Sequence, residues 1–456
     1  QHRKLDTFMD TPKKAFIKTF GCQMNEHDSQ RMMGVLVAEG YTMTEDVDEA
    51  NLVLVNTCSV RHNPENKVYS HLGRLRKKRL KGAEFIVGVG GCVAQQEGEN
   101  ILKRNKVVDM VFGPDNLFKL PEMIERVNQG ERVLMTKWQP HEQRVQNFIP
   151  EEWVEKGHVE GCKAYVSITK GCDNFCTFCV VPYTRGREVS REPENLLREA
   201  RDLASRGAKE IWLLGQNVNS YNAKGYGFYQ LLEDMVQVEG LERIRFTSPH
   251  PNDWNNDLSD LMAREPKICN QLHIPFQAGS SRMLKEMRRG HTLEEYLAKI
   301  QYMQSVNPTL ELSTDIIVGF PTETEEEFQD TLAVVREARF SQVFPFKYSP
   351  RPKTKAAQLD DDVPREVKED RLARLIALQN EIHDEDIQHY VGTQQSVLID
   401  SHSVREQDTM SGRTEGYRPV SIKSTDLEIG DLVHVNVTSA TGYWLYGDLI
   451  ESPATV

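Results

Sequence analysis

Three cysteines occupy one short run of the chain with the spacing C-x3-C-x2-C: Cys172, Cys176 and Cys179. Three thiolates can hold three irons of a [4Fe–4S] cube and leave the fourth iron without a protein ligand, whereas four-cysteine sites suit simple electron transfer. The open iron can then bind a substrate or a cofactor. Phe175 and Phe178 precede two of the cysteines and would shield a cluster from water. A zinc knuckle is the alternative, but zinc favours a fourth Cys or His at short spacing, and none lies nearby.

A second set of three cysteines emerges once the elements around them are placed. Residues 13–130 alternate strand and helix patterns, which predicts a parallel, doubly wound sheet. Cys22, Cys58 and Cys92 each lie just past the carboxyl end of one of its first three predicted strands. Because parallel strands put those ends on one edge, where ligands bind, we expect the three thiols to converge. The alternative is three unrelated core cysteines.

Residues 159–388 repeat a strand pattern and a helix pattern six times, which predicts a partial, open (β/α)6 barrel. Barrels of this kind carry their chemistry at the carboxyl ends of the strands, and the C-x3-C-x2-C run follows the first strand. The six predicted strands lie near Ala164–Ile168, Glu210–Leu214, Arg243–Thr247, Gln271–Phe276, Ser313–Val318 and Gln342–Tyr348.

Two further segments differ in character from these blocks. Residues 131–158 are polar and irregular, with Pro140 and Pro150, and are predicted to be a linker, with packing on the domains as the alternative. Residues 390–454 show short strand patterns separated by glycines and polar turns. This pattern predicts a small antiparallel β-barrel of the kind often used on nucleic acid.

The 456 residues predict two or three domains, and 39% hydrophobic residues suffice for a core in each. Eight cysteines in so long a chain do not indicate a disulfide scaffold, so Cys162 and Cys269 are expected to be buried thiols. No stretch of about eighteen apolar residues predicts a membrane span. The start at Gln1 has neither an initiator Met nor an apolar signal core, and we expect a trimmed N-terminus and a cytosolic location.

The formal net charge of −12 argues against broad binding of nucleic acid, which needs local positive charge. The run from Arg74 to Lys81 is nevertheless densely basic, and Arg413 and Arg418 share one turn, 412–418. Both features are candidate phosphate contacts. The alternatives are a solvated helix end and a solvated hairpin.

The C-x3-C-x2-C run resembles the cluster motif of the radical S-adenosylmethionine (SAM) enzymes. The whole chain resembles the methylthiotransferases, which join an N-terminal cluster domain, a radical SAM barrel and a C-terminal TRAM domain. The motifs that carry this resemblance are Thr19–Asn25, Asn56–Arg61, Gly90–Gln95, Gly171–Arg187, Leu272–Ser280 and Thr314–Pro321.

This resemblance implies two [4Fe–4S] clusters. Cys172, Cys176 and Cys179 would hold the cluster that cleaves SAM to a 5′-deoxyadenosyl radical. Cys22, Cys58 and Cys92 would hold an auxiliary cluster that carries or exposes the sulfur to be inserted. One SAM would methylate this sulfur, and a second SAM would supply the radical that enables loss of the substrate hydrogen.

SAM must be held against the first of these clusters by residues at strand ends. Gly215 and Gln216 after the second barrel strand, and Gly319 and Pro321 after the fifth, are the candidate contacts, because glycine lets backbone approach a cofactor. Ordinary strand-to-helix turns are the alternative at each position.

Within the family, Asn56–Arg61 followed by Glu65–Lys67 is similar to the bacterial MiaB branch. That branch methylthiolates C2 of N6-dimethylallyladenosine at position 37 of tRNA. The chain departs from the expected motifs at His62, Pro64, Ala278 and Tyr417.

Three rival functions stay open. The first is a methylthiotransferase acting on a ribosomal protein or on a different tRNA adenosine. The second is a two-cluster electron-transfer protein with an RNA-binding tail, and the third is a non-catalytic RNA-binding module.

The implied partners are an anticodon stem-loop that bears the dimethylallyl group, an electron donor such as a flavodoxin or ferredoxin, and a sulfur carrier. We expect a monomer without a membrane partner. The substrate base would be extruded from its loop and read in a pocket between the clusters.

Overall fold

The computed structural model describes residues 13–59, 62–146, 148–403 and 408–450, and the side chains of 62–67 and 151 lie outside the description. Val60 and Arg61 of the second motif, the departures at His62 and Pro64, and the side chains of Glu65–Lys67 are therefore outside it as well. The chain divides into two compact units. One comprises 1–158, 165–173 and 180–191, and the other comprises 159–164, 174–179 and 192–456.

Up to residue 146 the chain alternates strands and helices, as the sequence predicts. The elements are β1 Lys14–Thr19, α1 Gln23–Ala38, β2 Thr42–Met43, β3 Leu52–Thr57, α2 His62–Leu80, β4 Ile86–Gly91, α3 Cys92–Glu97, α4 Glu99–Arg104, β5 Met110–Phe112, α5 Leu120–Asn128, β6 Val133–Met135 and α6 His141–Gln146.

The six strands form one parallel sheet in the order β2-β1-β3-β4-β5-β6. β3 and β4 are buried along their whole length, and both faces of the sheet carry an apolar core. Leu72 of α2 packs in one core and Leu36 of α1 in the other. Helices therefore cover both faces, and the predicted doubly wound sheet is confirmed.

The segment 131–158, predicted as a linker with packing on the domains as the alternative, follows the alternative. Its strand β6 pairs in parallel with β5 and extends the sheet. Arg144 of α6 is buried and forms an ion pair with Asp115 at 2.7 Å. Polar composition concealed this packing, because a three-residue strand with one buried side chain has too short a pattern to stand out.

The barrel region contains the six predicted parallel-type strands and their helices. Its elements are β7 Val159–Glu160, β8 Lys163–Ser167, β9 Thr169–Lys170, α7 Val181–Thr184, β10 Val189–Ser190, α8 Pro193–Ser205, β11 Glu210–Leu214, β12 Asn222–Ala223, β13 Tyr226–Gly227, α9 Phe228–Met235, β14 Arg243–Phe246, α10 Asn256–Arg264, β15 Gln271–His273, α11 Ser281–Glu286, α12 Leu293–Val306, β16 Glu311–Val318, α13 Glu325–Ala338, β17 Gln342–Lys347 and α14 Arg365–Gln388.

In the second unit, β11 pairs in parallel with β14, and β15, β16 and β17 pair in parallel in that order. A parallel bridge between Ile244 and Ile268 joins β14 to the segment before β15. Local signals set the helices between them: α13 begins with a capping box of Thr324 and Glu327 and ends at Arg339 in the left-handed region. The partial barrel predicted from six repeats is confirmed.

The C-terminal segment is a closed five-stranded barrel of β18 Gln394–His402, β19 Thr409–Thr414, β20 Pro419–Lys423, β21 Leu432–Thr441 and β22 Trp444–Leu449, in the order β18-β19-β20-β22-β21. Alternate side chains such as Val420, Ile422 and Val437 fill its core. Its pairs are antiparallel except for β20 with β22, which run parallel. Closure removes the exposed edges that an open sheet would leave.

Within the described ranges, no helix has the length and apolar character needed to cross a bilayer.

Candidate metal centres

The first cysteine set lies at one edge of the parallel sheet. Cys22 precedes α1 as its N-cap, Cys58 directly follows β3, and Cys92 directly follows β4. The strands before them, β1, β3 and β4, are immediate neighbours in the sheet. The sheet thus gathers at its carboxyl edge three cysteines that are far apart in sequence, as the strand pattern predicts.

Glycines beside these cysteines allow the strand ends to approach. A Cβ on Gly21 would lie 2.7 Å from the Cβ of Cys58. Gly91 has φ +94°, and a Cβ there would lie 2.4 Å from the carbonyl oxygen of Thr57. Only glycine fits both demands at position 91, which accounts for the glycine in that motif.

Two buried asparagines connect the loops that carry Cys22 and Cys58 by hydrogen bonds. Asn25 donates through Nδ2 to Oδ1 of Asn56 at 3.1 Å and to the carbonyl oxygen of Thr57 at 3.0 Å. Asn56 donates in return to the carbonyl oxygen of Asn25 at 2.8 Å and to Oγ of Ser29 at 2.9 Å. These motif residues therefore fix the backbone that presents Cys22 and Cys58, a structural role that sequence reasoning did not assign.

The thiol of Cys22 ionises unusually easily. A hydrogen bond from Cys58 is the main factor that lowers its pKa to about 6, against the opposing effect of partial desolvation, and Arg185 and backbone N–H groups at the start of α1 assist. Cys92 differs, because burial raises the pKa of its thiol although Arg185 works in the other direction. A helix N-terminus and a nearby cation are the usual means of stabilising a thiolate.

Arg185 brings a positive charge to this set from the segment after α7. Its side chain is 5% exposed, and Nη2 donates to Oδ2 of Asp28 at 2.7 Å. Arg144 fixes the backbone of the segment by donating to the carbonyl oxygens of Arg185 at 2.7 Å and of Arg187 at 2.6 Å. Spacing offered no signal of this ion pair, because 157 residues separate Arg185 from Asp28.

The second cysteine set lies in the loop after β9. Cys172 belongs to the first unit, where its N–H donates to the carbonyl oxygen of Gly186 at 3.2 Å. Before it, Gly171 has φ +82°, and a Cβ there would lie 2.3 Å from the carbonyl oxygen of Arg187. Cys176 and Cys179 belong to the second unit, and the N–H of Cys179 donates to the carbonyl oxygen of Cys176 at 3.0 Å.

The stretch from Cys176 to Cys179 is tied to the end of α11. The N–H of Thr177 donates to the carbonyl oxygen of Met287 at 3.0 Å, and its Oγ1 donates to that of Glu286 at 2.9 Å. Phe178 packs against a core that includes Met287 and Phe320. The shielding of a cluster by Phe178 stays a prediction.

Arg289 reaches the second set from the turn after α11. Its side chain is 5% exposed, and Nη1 donates to Sγ of Cys176 at 3.3 Å. Nη2 donates to the carbonyl oxygen of Pro275 at 2.8 Å. Each cysteine set thus includes one sulfur atom beside a buried guanidinium.

Each set supplies three reduced cysteine thiols, the donor type that an iron–sulfur cluster takes, and the ligand role of all six cysteines stays a prediction. Over the described residues, no three side chains of Cys, His, Asp or Glu are grouped closely enough to hold a metal ion. The two remaining cysteines, Cys162 and Cys269, are buried as predicted, and burial raises the pKa of each to about 11.

The candidate SAM contacts lie after two strands of the second unit. Gly215 is buried and Gln216 half-buried directly after β11, and Pro321 is buried in the turn after β16. Gly319 has φ +69°, and a Cβ there would lie 2.3 Å from Cγ of Lys368. This glycine therefore makes room for a lysine of α14, and the role of all four residues toward SAM stays a prediction.

Glu323 holds the backbone at Gly319. Its carboxylate accepts from the N–H of Gly319 at 2.6 Å and from Nη1 of Arg371 at 2.7 Å. Burial raises the pKa of Glu323 to about 7, although both hydrogen bonds work against the shift.

The basic run lies on α2 and continues just past its end, with its positive charges only partly available. Lys78 forms an ion pair with Asp48, and Arg79 forms one with Asp109 at 2.7 Å. The exposed members are Arg74, Arg76, Lys77 and Lys81. Any phosphate contact by this run would therefore use those four residues.

The turn 412–418 of the C-terminal barrel packs inside the second unit. Arg418 is 7% exposed, and its Nε lies 2.8 Å from Oε2 of Glu311. The prediction that Arg418 meets phosphate or a base is therefore wrong, because its charge is already offset by a buried carboxylate. Arg413 is half-buried, 3.5 Å from Oδ2 of Asp400 and above the ring of Tyr417.

Three family models match the chain in order: the Uncharacterized protein family UPF0004 at 14–113, the Radical SAM superfamily at 166–335 and the TRAM domain at 388–450. The solved radical SAM methyltransferase TsrM from Kitasatospora setae has a similar fold, with a TM-score of 0.55 and 16% identity over 76% of this chain and 74% of that chain. Fold and domain content define a radical SAM enzyme.

Curated relatives match over almost the whole length. The tRNA-2-methylthio-N(6)-dimethylallyladenosine synthase of Francisella tularensis subsp. holarctica (strain FTNF002-00 / FTA) is 45% identical over 448 residues, which are 97% of this chain and 100% of the relative. The enzyme of the same name from Francisella philomiragia subsp. philomiragia is 44% identical over the same shares. This chain belongs to that family of methylthiotransferases, and the resemblance inferred from its motifs is confirmed.

Proposed function

We propose that this protein attaches a methylthio group to C2 of N6-dimethylallyladenosine at position 37 of tRNA. The observation that carries the proposal is the 45% identity over 97% of the chain to enzymes named for this reaction. In this proposal residues 13–130 form the auxiliary-cluster domain, 159–388 the radical SAM domain and 390–454 the RNA-binding TRAM domain, with 131–158 between the first two.

Two [4Fe–4S] clusters are part of the proposal. Cys172, Cys176 and Cys179 would hold one cluster. The convergence of Cys22, Cys58 and Cys92 at the ends of adjacent strands supports a second. When bound with SAM, such clusters supply the radical and sulfur chemistry needed at an aromatic C2–H bond, which no side-chain base is strong enough to deprotonate.

The chain's own residues position these groups and control their charge. Arg185 and Arg289 each place a buried positive charge beside a cysteine sulfur. Phe178, which packs against the core of Met287 and Phe320, would exclude water from one side of the second set. Gly215, Gln216, Gly319 and Pro321 remain the proposed contacts of SAM.

The decisive experiment is a turnover assay on matched anticodon stem-loops. With reductant, sulfide and SAM, the reconstituted enzyme should convert a stem-loop bearing N6-dimethylallyladenosine and leave one bearing plain adenosine unmodified. Mass spectrometry of the digested nucleosides measures the product, and Cys176→Ala is the inactive control. Conversion of a ribosomal protein in place of the stem-loop would contradict the tRNA assignment and favour the rival methylthiotransferase.

We also propose that the exposed part of the basic run contacts tRNA phosphates. Replacing Arg76 and Lys77 by Glu should weaken stem-loop binding and flatten its salt dependence, because each lost phosphate contact lowers the slope by about 0.9. Arg104 and Lys106 are also exposed basic residues of the first unit, so their replacement by Glu is the matched control. Equal affinities for both double variants, with equal iron content, would exclude this contact.

A further inference from the structure

Arg289 carries a buried positive charge without a carboxylate partner. Its guanidinium is 5% exposed, yet none of the described Asp or Glu side chains forms an ion pair with it. Burying an unpaired ion costs several kcal/mol, so proteins seldom leave one uncompensated. A partner for this charge is therefore expected from whatever the site holds when it is complete.

The groups around Arg289 show where that partner must lie. Nη1 donates to Sγ of Cys176 at 3.3 Å and Nη2 to the carbonyl oxygen of Pro275 at 2.8 Å, while the buried Nε has no hydrogen-bond partner among the described residues. A neutral thiol or carbonyl carries no net charge. A thiolate at Cys176, as in a cluster ligand, would carry the charge that is missing.

The neighbouring histidines do not change this balance. His250 and His291 lie beside Arg289 with ring centroids 6.0 Å apart. Burial, helped by the charge of Arg289, lowers the pKa of His250 to about 2 and that of His291 to about 4. Both rings are neutral near pH 7, and the other charges that act on them come from Lys299 and, at His291, from Glu295. The two histidines therefore supply no negative charge to Arg289.

Arg289 and Cys176 are also held in fixed register. The two hydrogen bonds of Thr177 to the carbonyl oxygens of Met287 and Glu286 join the cysteine loop to the turn that carries Arg289. Backbone hydrogen bonds therefore fix the contact between the Arg289 guanidinium and the Cys176 sulfur.

We propose that Arg289 is a positioning residue of the SAM-cleaving cluster: it donates to the Cys176 sulfur, offsets the charge of that ligand and so raises the reduction potential of the cluster. Hydrogen bonds to sulfur and net charge are main determinants of cluster potentials, because both stabilise the more negative reduced state. The inference rests on the proposed function, since it requires a cluster on Cys172, Cys176 and Cys179.

The test uses the full-length chain with Cys22, Cys58 and Cys92 replaced by Ala, so that one cluster remains to be measured. After anaerobic reconstitution, a redox titration followed by electron paramagnetic resonance compares this parent with Arg289→Gln and Arg289→Lys. In Arg289→Gln the ratio of reduced to oxidised cluster at a fixed potential should fall about tenfold, or about 59 mV for one electron. Arg289→Lys keeps the charge and should recover part of the loss.

Arg288→Gln is the matched control. Arg288 is the adjacent residue with the same charge, but it is exposed, so water and salt screen it and the potential should stay at the parent value. An equal shift in Arg288→Gln and Arg289→Gln would overturn the proposal, as would a parent-like potential in Arg289→Gln at full iron content.

Iron content and circular dichroism distinguish loss of the cluster from loss of the fold in each variant. Iron retained in Arg289→Lys but lost from a folded Arg289→Gln supports the proposal, whereas iron lost from both folded variants indicates a steric role and overturns it. If Arg289→Gln does not fold, Arg289→Lys decides: a lower potential than the parent supports the proposal and an equal one overturns it. A parent that binds no iron contradicts the proposed function itself.

Discussion

The two cysteine sets are built in opposite ways. Cys22, Cys58 and Cys92 are brought together by three adjacent parallel strands, so their proximity depends on the whole sheet. Cys176 and Cys179 share one loop, and their proximity depends on local backbone alone. The first set should therefore be sensitive to substitutions that disturb the sheet. The second set should be sensitive mainly to substitutions of residues that contact its loop.

The buried arginines beside the two cysteine sets also differ in whether a carboxylate offsets their charge. Arg185 already has a carboxylate partner in Asp28 at 2.7 Å, so the pair is neutral before any cluster binds. Arg289 has no such partner among the described side chains. We therefore expect Arg185 to matter more for the stability of the metal-free protein and Arg289 more for the electronic properties of a bound cluster.

Loss of a ligand should give the largest effect and should separate the two sets. In the anaerobically reconstituted protein, Cys22→Ala and Cys176→Ala should each lose about half of the iron, because each removes a ligand from a different cluster. Cys269→Ala is the control, since this buried thiol belongs to neither set and should retain all the iron. Loss of all iron from either ligand variant would show that the protein holds a single metal centre and would contradict the two-cluster proposal.

Breaking the buried ion pair should destabilise the first set next most strongly. Asp28→Asn should lower the free energy of unfolding of the metal-free protein by about 3–5 kcal/mol, because it leaves Arg185 buried and unpaired. Asp202→Asn, which breaks the surface pair with Arg206, should cost under about 1 kcal/mol. Urea unfolding of both variants measures the difference, and equal costs would show that Asp28 and Arg185 are not coupled.

A single methyl group should show how tightly the first set is packed. Gly91 and Gly130 have nearly equal φ, +94° and +91°, but a Cβ on Gly130 meets nothing within 4 Å. Replacing either by Ala should cost about 1–3 kcal/mol for backbone strain, and Gly91→Ala about 1–3 kcal/mol more for its clash with Thr57. Similar unfolding free energies for the two variants would mean that the strand ends can separate without penalty.

The smallest expected effect is a shift in reactivity with pH. In metal-free protein the exposed thiol of Cys22 should react with iodoacetamide at half its maximal rate near pH 6, and Cys58→Ala should move that midpoint toward the ordinary pKa of 9. Because folding lowers this pKa, the associated stability is complete above pH 9 and is lost as pH falls through about 6. A wild-type midpoint near pH 9 would contradict the assigned hydrogen bond.

The sequence predicted the fold well where elements are long and strongly patterned. Glu210–Leu214 has the predicted bounds, and β16 differs only by beginning at Glu311 instead of Ser313. The strand β6 was missed, because three residues cannot show a period. The strand pattern also predicted that Cys22, Cys58 and Cys92 follow strands that share one edge, and β1, β3 and β4 are neighbours in the sheet.

The charged contacts of the sites were beyond prediction. Arg185 lies 157 residues from Asp28, and Arg289 lies 113 residues from Cys176. Nothing local distinguishes these arginines from the exposed Arg288 beside one of them. For the same reason the sequence makes Arg418 a candidate phosphate contact, although the fold brings Glu311 to it across 107 residues.

The attachment of the C-terminal barrel within its unit has a consequence for how such proteins diversify. Arg243 donates to the carbonyl oxygen of Arg413 at 2.6 Å, and Arg245 donates to those of Thr414 and Glu415 at 2.8 and 2.7 Å. All three acceptors are main-chain atoms, which every amino acid supplies. The half-buried side chains of Arg413 and Glu415 can therefore change without loss of these hydrogen bonds, whereas Thr414 is buried and constrained. New surface chemistry can thus evolve at these two positions while the barrel stays attached.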